Sequence, residues 1–438
     1  MNISIFGMGY VGCVSGACLA RLGHRIIGVE PNPTKVELLN SGKSPIVEEG
    51  LESLITETIK SGQFSATSDW EAAVANTTLA IICVGTPSRP NGSIDLKYVV
   101  RVCEQVGQAI GRKTDYFTVV IRSTVLPGTV ENVLLPVLEQ HSGKKAGVDF
   151  GLCMNPEFLR EGTSIFDFHN PPKTVIGELN PRSGDLLAAL YQDLPGPHVR
   201  VPIRVAEMVK YVDNTFHALK VTFANEVGNL AKELAVDSHR VMEIFCLDTK
   251  LNLSPYYLKP GFAFGGSCLP KDLRALTSEA RMLDVSTPLL SSILESNRLQ
   301  IQKVTKKLLE FKGKSLGFLG FSFKGGTDDL RESPIVEVIE AMLGKGFDIK
   351  IYDRHVSLAR LMGANKEYIQ REIPHISRLM CPAWSELMET SDVIIVANRD
   401  EEFKTALAQA RPHQTIIDLV RIVDAKPANA GSYYGICW

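Results

Sequence analysis

Three sets of residues in this sequence have types and spacings suited to chemistry. The first lies in Gly261–Asp272, GFAFGGSCLPKD. Three glycines and a proline there exclude a regular helix or strand, so the backbone loops. The loop carries Cys268, followed by Lys271 and Asp272. A thiolate is a good nucleophile, and a nearby cation or helix N-terminus draws a cysteine pKa down from about 8.5. Lys271 supplies such a cation, and Pro270 suits a first helical turn. The competing reading is a buried, inert thiol beside a surface Lys-Asp pair. The second set is Lys210, Asn214, His217 and Asn225, which share one arc at helical spacing. A lysine among amides and small residues suits a polar cleft, where desolvation lowers its pKa. The third is Gly7-Met8-Gly9-Tyr10-Val11-Gly12, a glycine-rich turn fit to approach a pyrophosphate.

The elements around these residues give them their meaning. Asn2–Phe6 reads as a strand entering the glycine turn, an apolar helix follows to about Leu22, and His24–Glu30 is a second strand ending in an acid eighteen residues after Gly12. This βαβ context marks a dinucleotide site, with Glu30 on the ribose hydroxyl and hence NAD rather than NADP. Leu79–Val84, Phe117–Arg122 and Val148–Met154 read as further strands, with helices near 95–110 and 127–140, which makes a mostly parallel, doubly wound sheet. Ligands lie at the carboxyl ends of such strands, where Thr86, Thr124 and Glu161 stand. From Val201 to about Ala235 the period is helical. Val205, Val209, Val212, Phe216, Phe223, Val227, Leu230 and Leu234 fall within one arc, a packing face, opposite the Lys210 arc. A helix of that length spans about 50 Å. Tyr256 and Tyr257 offer faces and hydroxyls to a base or sugar. The last third repeats the pattern: strands at 313–320, 348–353, 392–397 and 414–419, a helix from Ile335 to Leu343, and no glycine fingerprint. It carries Lys324 and Arg331, cations suited to phosphate. The fold class is therefore α/β, two Rossmann-like doubly wound domains (1–198 and 298–438) joined by a central helical segment (199–297) with one long helix.

Composition narrows the function. With 438 residues, 45% hydrophobic and 22% charged, the chain has ample core for two or three domains. A net charge of −2 argues against nucleic acid or anionic membrane as the main partner. No apolar run reaches the ~18 residues of a membrane span, and the N-terminus opens on a strand pattern, so the cytoplasm is the expected location. Nine scattered cysteines without a CxxC argue against a disulfide framework or a zinc site.

GMGYVG, CVGTPS, RSTVLPGT, NPEFLREG, GFAFGGSCLPKD and FKGGTDDLRESP, in that order, resemble the motifs of the UDP-glucose/GDP-mannose dehydrogenase family, over almost the whole chain. The resemblance implies an NAD-dependent, four-electron oxidation of a sugar nucleotide at C6, through a thiohemiacetal and a thioester on Cys268. It favours GDP-mannose as substrate, for an alginate-type polysaccharide, over a UDP-sugar. It implies cofactor contacts from Gly7, Gly9, Tyr10, Val11, Gly12, Glu30, Lys35, Thr86, Thr124, Lys271 and Arg331. It implies substrate contacts from Glu161, Lys210, Asn214, His217, Asn225, Tyr256, Tyr257, Lys259, Phe262, Gly265 and Lys324. Lys210 with Asn214 would stabilise an oxyanion or take a proton, Glu161 would order the hydrolytic water, and Asp272 would orient water or Lys210. Two departures stand out: Glu30 replaces the usual aspartate, and Lys259 stands where an arginine is expected and cannot make its bidentate contact. The long helix and the resemblance together suggest a homodimer or a dimer of dimers. A non-catalytic NAD-dependent sugar-nucleotide sensor and a two-electron dehydrogenase relying on Lys210 are the competing readings.

Overall fold

The computed structural model describes residues 1–233, 235–249, 258–284, 287–356 and 376–438. The side chains of Glu226, Leu230, Glu233 and Ser377 are also outside the description, as are Leu234, Tyr256 and Tyr257. The chain divides into two compact units, Met1–Asp213 and Asn214–Trp438.

The first unit is built on eight strands: β1 (Asn2–Phe6), β2 (Arg25–Val29), β3 (Phe64–Thr67), β4 (Leu79–Ile82), β5 (Phe117–Ile121), β6 (Phe150–Met154), β7 (Thr174–Glu178) and β8 (His198–Pro202). Their order is β3-β2-β1-β4-β5-β6-β7-β8. All neighbours are parallel except β6 and β7. The order reverses beside β1, the switch point at which doubly wound sheets bind ligands. β1, β4, β5 and β6 are almost wholly buried, as expected for strands covered by helices on both faces. A core of Ile3, Ile5, Val14, Leu19, Ile26, Ile55, Ile81 and Phe168 lies against one face. β3, β7 and β8 were not among the expected strands. β3 is a four-residue strand, FSAT, and β8 has no buried position, so neither carries the apolar run that reveals a central strand.

The second unit carries a five-stranded parallel sheet: β9 (Leu316–Leu319), β10 (Ile349–Tyr352), β11 (Val393–Val396), β12 (Thr415–Asp418) and β13 (Ser432–Gly435), in the order β10-β9-β11-β12-β13. Four of these were expected; β13 was not. Separate apolar clusters pack there, one around Phe318, Ile339 and Ile395 and one around Leu387, Ile394 and Phe403.

The long helix runs from Ile203 to Glu233, entered directly from Pro202. Four of the eight residues expected on its packing face are exposed, while Val209 and Val227 are half-buried. Val205, Val212, Phe216 and Phe223 are 44%, 51%, 39% and 43% exposed, whereas Lys210, Asn214 and Asn225 are buried. The chain's own packing thus uses the amide and small-residue side of the helix, where Ala206, Ala218, Ala224 and Gly228 allow close approach.

Candidate active site

In the first unit the glycine turn is shaped for a dinucleotide. Gly7 has φ +93°, and a side chain there would meet Val84 at 2.9 Å. A Cβ at Gly12 would lie 1.9 Å from the Gly7 carbonyl oxygen, so helix and strand pack there without room for a side chain. Among the described residues nothing lies within 4 Å of a would-be Cβ at Gly9, and Gly9, as the N-cap, has no side chain to cap the helix it starts, Tyr10–Arg21. Uncapped N–H groups beside an open approach fit a pyrophosphate. Glu30 is buried; it accepts from the Met8 and Asn32 N–H groups, both at 3.1 Å, and Lys35 Nζ stands 3.9 Å away. The acid assigned to the ribose and the lysine expected at the cofactor therefore stand together beside the turn. At the ends of β4 and β5, Thr86 Oγ1 donates to the Thr124 carbonyl at 2.8 Å, which joins those two expected cofactor residues.

The substrate candidates of this unit are Glu161, on the loop after β6, and Lys210, on the long helix. Lys210 Nζ makes a 2.8 Å ion pair with Glu157 Oε1, both buried. Burial pushes the Glu157 carboxyl up, but the Lys210 ammonium, its hydrogen bond, Arg122 and the Leu159 N–H together hold it below the ordinary carboxylate range. An acid such as Glu157, three residues after a strand, gives no sign of its partner on a distant helix. Arg122 and the Tyr191 hydroxyl both donate to Asn155 Oδ1, bracing the start of the loop. Glu161 follows in the same loop, half-buried.

In the second unit Cys268 is the N-cap of the helix Leu269–Met282, with Pro270 in its first turn. Of the nine cysteines it is the exposed one. Its position at a helix N-terminus favours the thiolate. Burial pushes Cys13, Cys18, Cys83, Cys103 and Cys153 up to about 12, which leaves those thiols unreactive. Asp272, almost fully buried, accepts a hydrogen bond from Asn214 and stands 3.2 Å from Lys271 Nζ.

The cysteine loop is held by amides. Asn225 accepts from the Gly261 N–H at 2.8 Å and donates to the Phe262 carbonyl at 3.1 Å. Asn297 binds both backbone groups of Phe264, at 2.9 and 2.8 Å, and Gln300 donates to the Gly261 carbonyl. Asn225, expected at the substrate, thus spends its amide on the loop. Asn297 and Gln300 escaped notice because amides one turn apart on an amphipathic helix look like ordinary surface. A Cβ at Gly265 would lie 2.3 Å from the Glu332 carbonyl oxygen, and Gly266 has φ +84°, so both must be glycine. Lys259 is exposed, and His217, Phe262 and Lys324 are half-buried. Arg331 is forked onto Asp329 at 2.9 and 2.5 Å. As Glu30 follows β2, Asp353 follows β10, and its carboxylate takes the N–H groups of Phe321 and Ser322 at 2.9 and 3.1 Å.

Residues 1–195, 204–299 and 317–425 match, respectively, the NAD binding, central and UDP binding domain models of the UDP-glucose/GDP-mannose dehydrogenase family. The GDP-mannose 6-dehydrogenase of Pseudomonas putida is 51% identical over 438 residues, covering all of both chains. A ternary complex of GDP-mannose dehydrogenase from Pseudomonas aeruginosa is 52% identical, with full coverage of both chains and a TM-score of 0.58. A UDP-glucose dehydrogenase from the archaeon Pyrobaculum islandicum is 34% identical, covering 100% of this chain and 97% of its own, with a TM-score of 0.90.

Proposed function

The chain belongs to the UDP-glucose/GDP-mannose dehydrogenase family, and on that footing we propose that it oxidises GDP-mannose at C6 to GDP-mannuronate. The observation that carries this is an exposed cysteine at a helix N-terminus, in a chain about half identical, end to end, to GDP-mannose 6-dehydrogenases.

The glycine turn, Tyr10, Val11, Glu30, Lys35, Thr86 and Thr124 would hold NAD, with Lys271 and Arg331 contributing. Bound there, NAD would supply the hydride acceptor for two successive oxidations. The remaining work belongs to side chains. The C6 hydroxyl would pass its proton to water oriented by Asp272 as the aldehyde forms, and Lys210 with its Glu157 partner would stabilise the charge on oxygen. The Cys268 thiolate adds to the aldehyde carbon and gives a thiohemiacetal, whose oxidation leaves a thioester. Water, ordered by Glu161 or Asp272, attacks the thioester carbonyl, and the C–S bond breaks to return the thiol and release the acid. Asn214, one helical turn from Lys210 and bonded to Asp272, supplies an amide donor. His217, Tyr256, Tyr257, Lys259, Phe262, Gly265 and Lys324 are assigned to the sugar nucleotide, and Asn225 to bracing the loop that carries Cys268. The three-part division at 198/199 and 297/298 belongs to the same reading. So does supply of the uronic acid donor for an alginate-type polysaccharide. Nine scattered cysteines without a CxxC suit a reducing cytoplasm.

The exposed apolar line Val205, Met208, Val212, Phe216 and Phe223 supports a homodimer or a dimer of dimers.

Limiting GDP-mannose with excess NAD tests the reading: two NADH per sugar and a GDP-uronic acid are expected. One NADH per sugar removes the covalent role of Cys268, and turnover of UDP-glucose alone moves the substrate to the UDP-sugar class. Cys268→Ser should abolish acid formation.

A further inference from the structure

Glu48 lies in the stretch SPIVEEG, to which no role has been given above. It precedes the helix Leu51–Lys60, yet its side chain turns away from solvent and is 8% exposed. Both carboxylate oxygens are used. Oε1 accepts from the Ser164 N–H at 2.7 Å, and Oε2 accepts from the Gly162 N–H at 2.6 Å and from the Tyr10 hydroxyl. The Gly162 N–H also reaches the Tyr10 oxygen at 3.1 Å. On the other side of Glu161, Arg160 is fixed to Asp167 through its backbone N–H at 3.0 Å and its guanidinium at 2.9 Å. Glu161 is therefore pinned at both neighbouring residues, and one of the pins is shared with Tyr10. Burial, followed by the hydrogen bond to Glu48, pushes the Tyr10 hydroxyl well above its usual range, and the Glu161 charge adds to that shift. Tyr10 consequently stays a hydrogen-bond donor at all working pH values.

We infer that Glu48 is a positioning residue that ties the first turn of the dinucleotide helix, through Tyr10, to the backbone that aims Glu161. The inference rests on the reading of Tyr10 as a cofactor residue and Glu161 as a substrate residue. A carboxylate suits the position because three donors converge on it. A glutamine would keep the shape but offer a single acceptor oxygen and turn an NH2 toward one set of donors.

The test compares the full-length wild type with Glu48→Gln and Tyr10→Phe in three measurements: steady-state kinetics with GDP-mannose and NAD, amide hydrogen exchange over 158–168, and thermal unfolding. In Glu48→Gln the Gly162 and Ser164 amides should exchange faster. Its kcat should fall about 10- to 100-fold, the scale of losing hydrogen bonds to a charged group. KM for NAD should rise only a few-fold. Tyr10→Phe, which removes one donor of three, should give a smaller kcat loss with the same amides loosened; it also carries the test if Glu48→Gln does not fold. A Glu48→Gln protein with wild-type kcat and unchanged exchange overturns the inference. So does a kcat loss matched by global unfolding, with protection lost uniformly along the chain. If wild type does not oxidise GDP-mannose, the functional reading falls, and the exchange measurement alone then decides whether Glu48 holds the loop.

Discussion

Lys210 and Glu157 face each other across 2.8 Å inside the first unit, with nearly all of both side chains withdrawn from water. Such a pair gives little net stability, but breaking it leaves one charge buried and uncompensated. Glu157→Gln should therefore destabilise the protein by about 3–5 kcal/mol at neutral pH, as read by urea unfolding. Because the folded protein holds Glu157 below its ordinary value, this carboxylate contributes stability above the unfolded pKa of about 4.3, and that contribution is lost as pH falls through the folded value. The gap between wild type and variant should accordingly narrow below about pH 4. A gap that stays constant down to pH 3 would show that Glu157 carries no such linkage. At this scale the sequence was legible where chemistry sits in short range. Cys268, its proline and its helix were readable in one twelve-residue loop. The partner of Lys210 was not, because 53 residues separate it from Glu157.

Among the elements, the central helix was plain from its period, but period alone does not say which arc the chain covers. One element-scale device escaped notice altogether. Glu207, on the same helix and fully buried, accepts from the N–H groups of Gly128 and Val130 at 2.6 and 2.8 Å and so holds the turn after RSTVLP. Burial pushes its carboxyl up to about 7, against the pull of those two N–H groups. Here the folded value exceeds the unfolded one. The unfolded chain releases the proton first, so stability is lost as pH rises from about 4.3 to about 7 and then levels off. Glu207→Gln should flatten that part of the profile, at a fixed cost of about 1–3 kcal/mol for the donor left unpaired. Melting temperatures between pH 5 and 8 measure it, and an unchanged slope would assign the titration to another group.

For the whole molecule, the five exposed apolar residues on the central helix form a patch that water does not favour. If they bind a second copy, Val212→Glu with Phe216→Glu should convert the protein to a monomer in sedimentation velocity at micromolar concentration, with each unit still folded by circular dichroism. A monomeric wild type, or an unchanged assembly in the double variant, would remove the homodimer from the proposal.

By itself the sequence determined the class of fold, the dinucleotide turn, the candidate nucleophile and the six motifs that carry family membership. All of these rest on residues close together in the chain, where glycine, proline and helical or strand period act directly on the backbone. Only the tertiary structure decided which carboxylate neutralises Lys210, that Asn225 braces the cysteine loop with Asn297 and Gln300, and that Glu48 joins Tyr10 to the Glu161 backbone. It also decided that the amide face of the long helix is the one its own chain buries. Hydrogen bonds and charges act over a few ångströms whatever the separation along the chain, so these pairings exist only once the fold has brought their partners together.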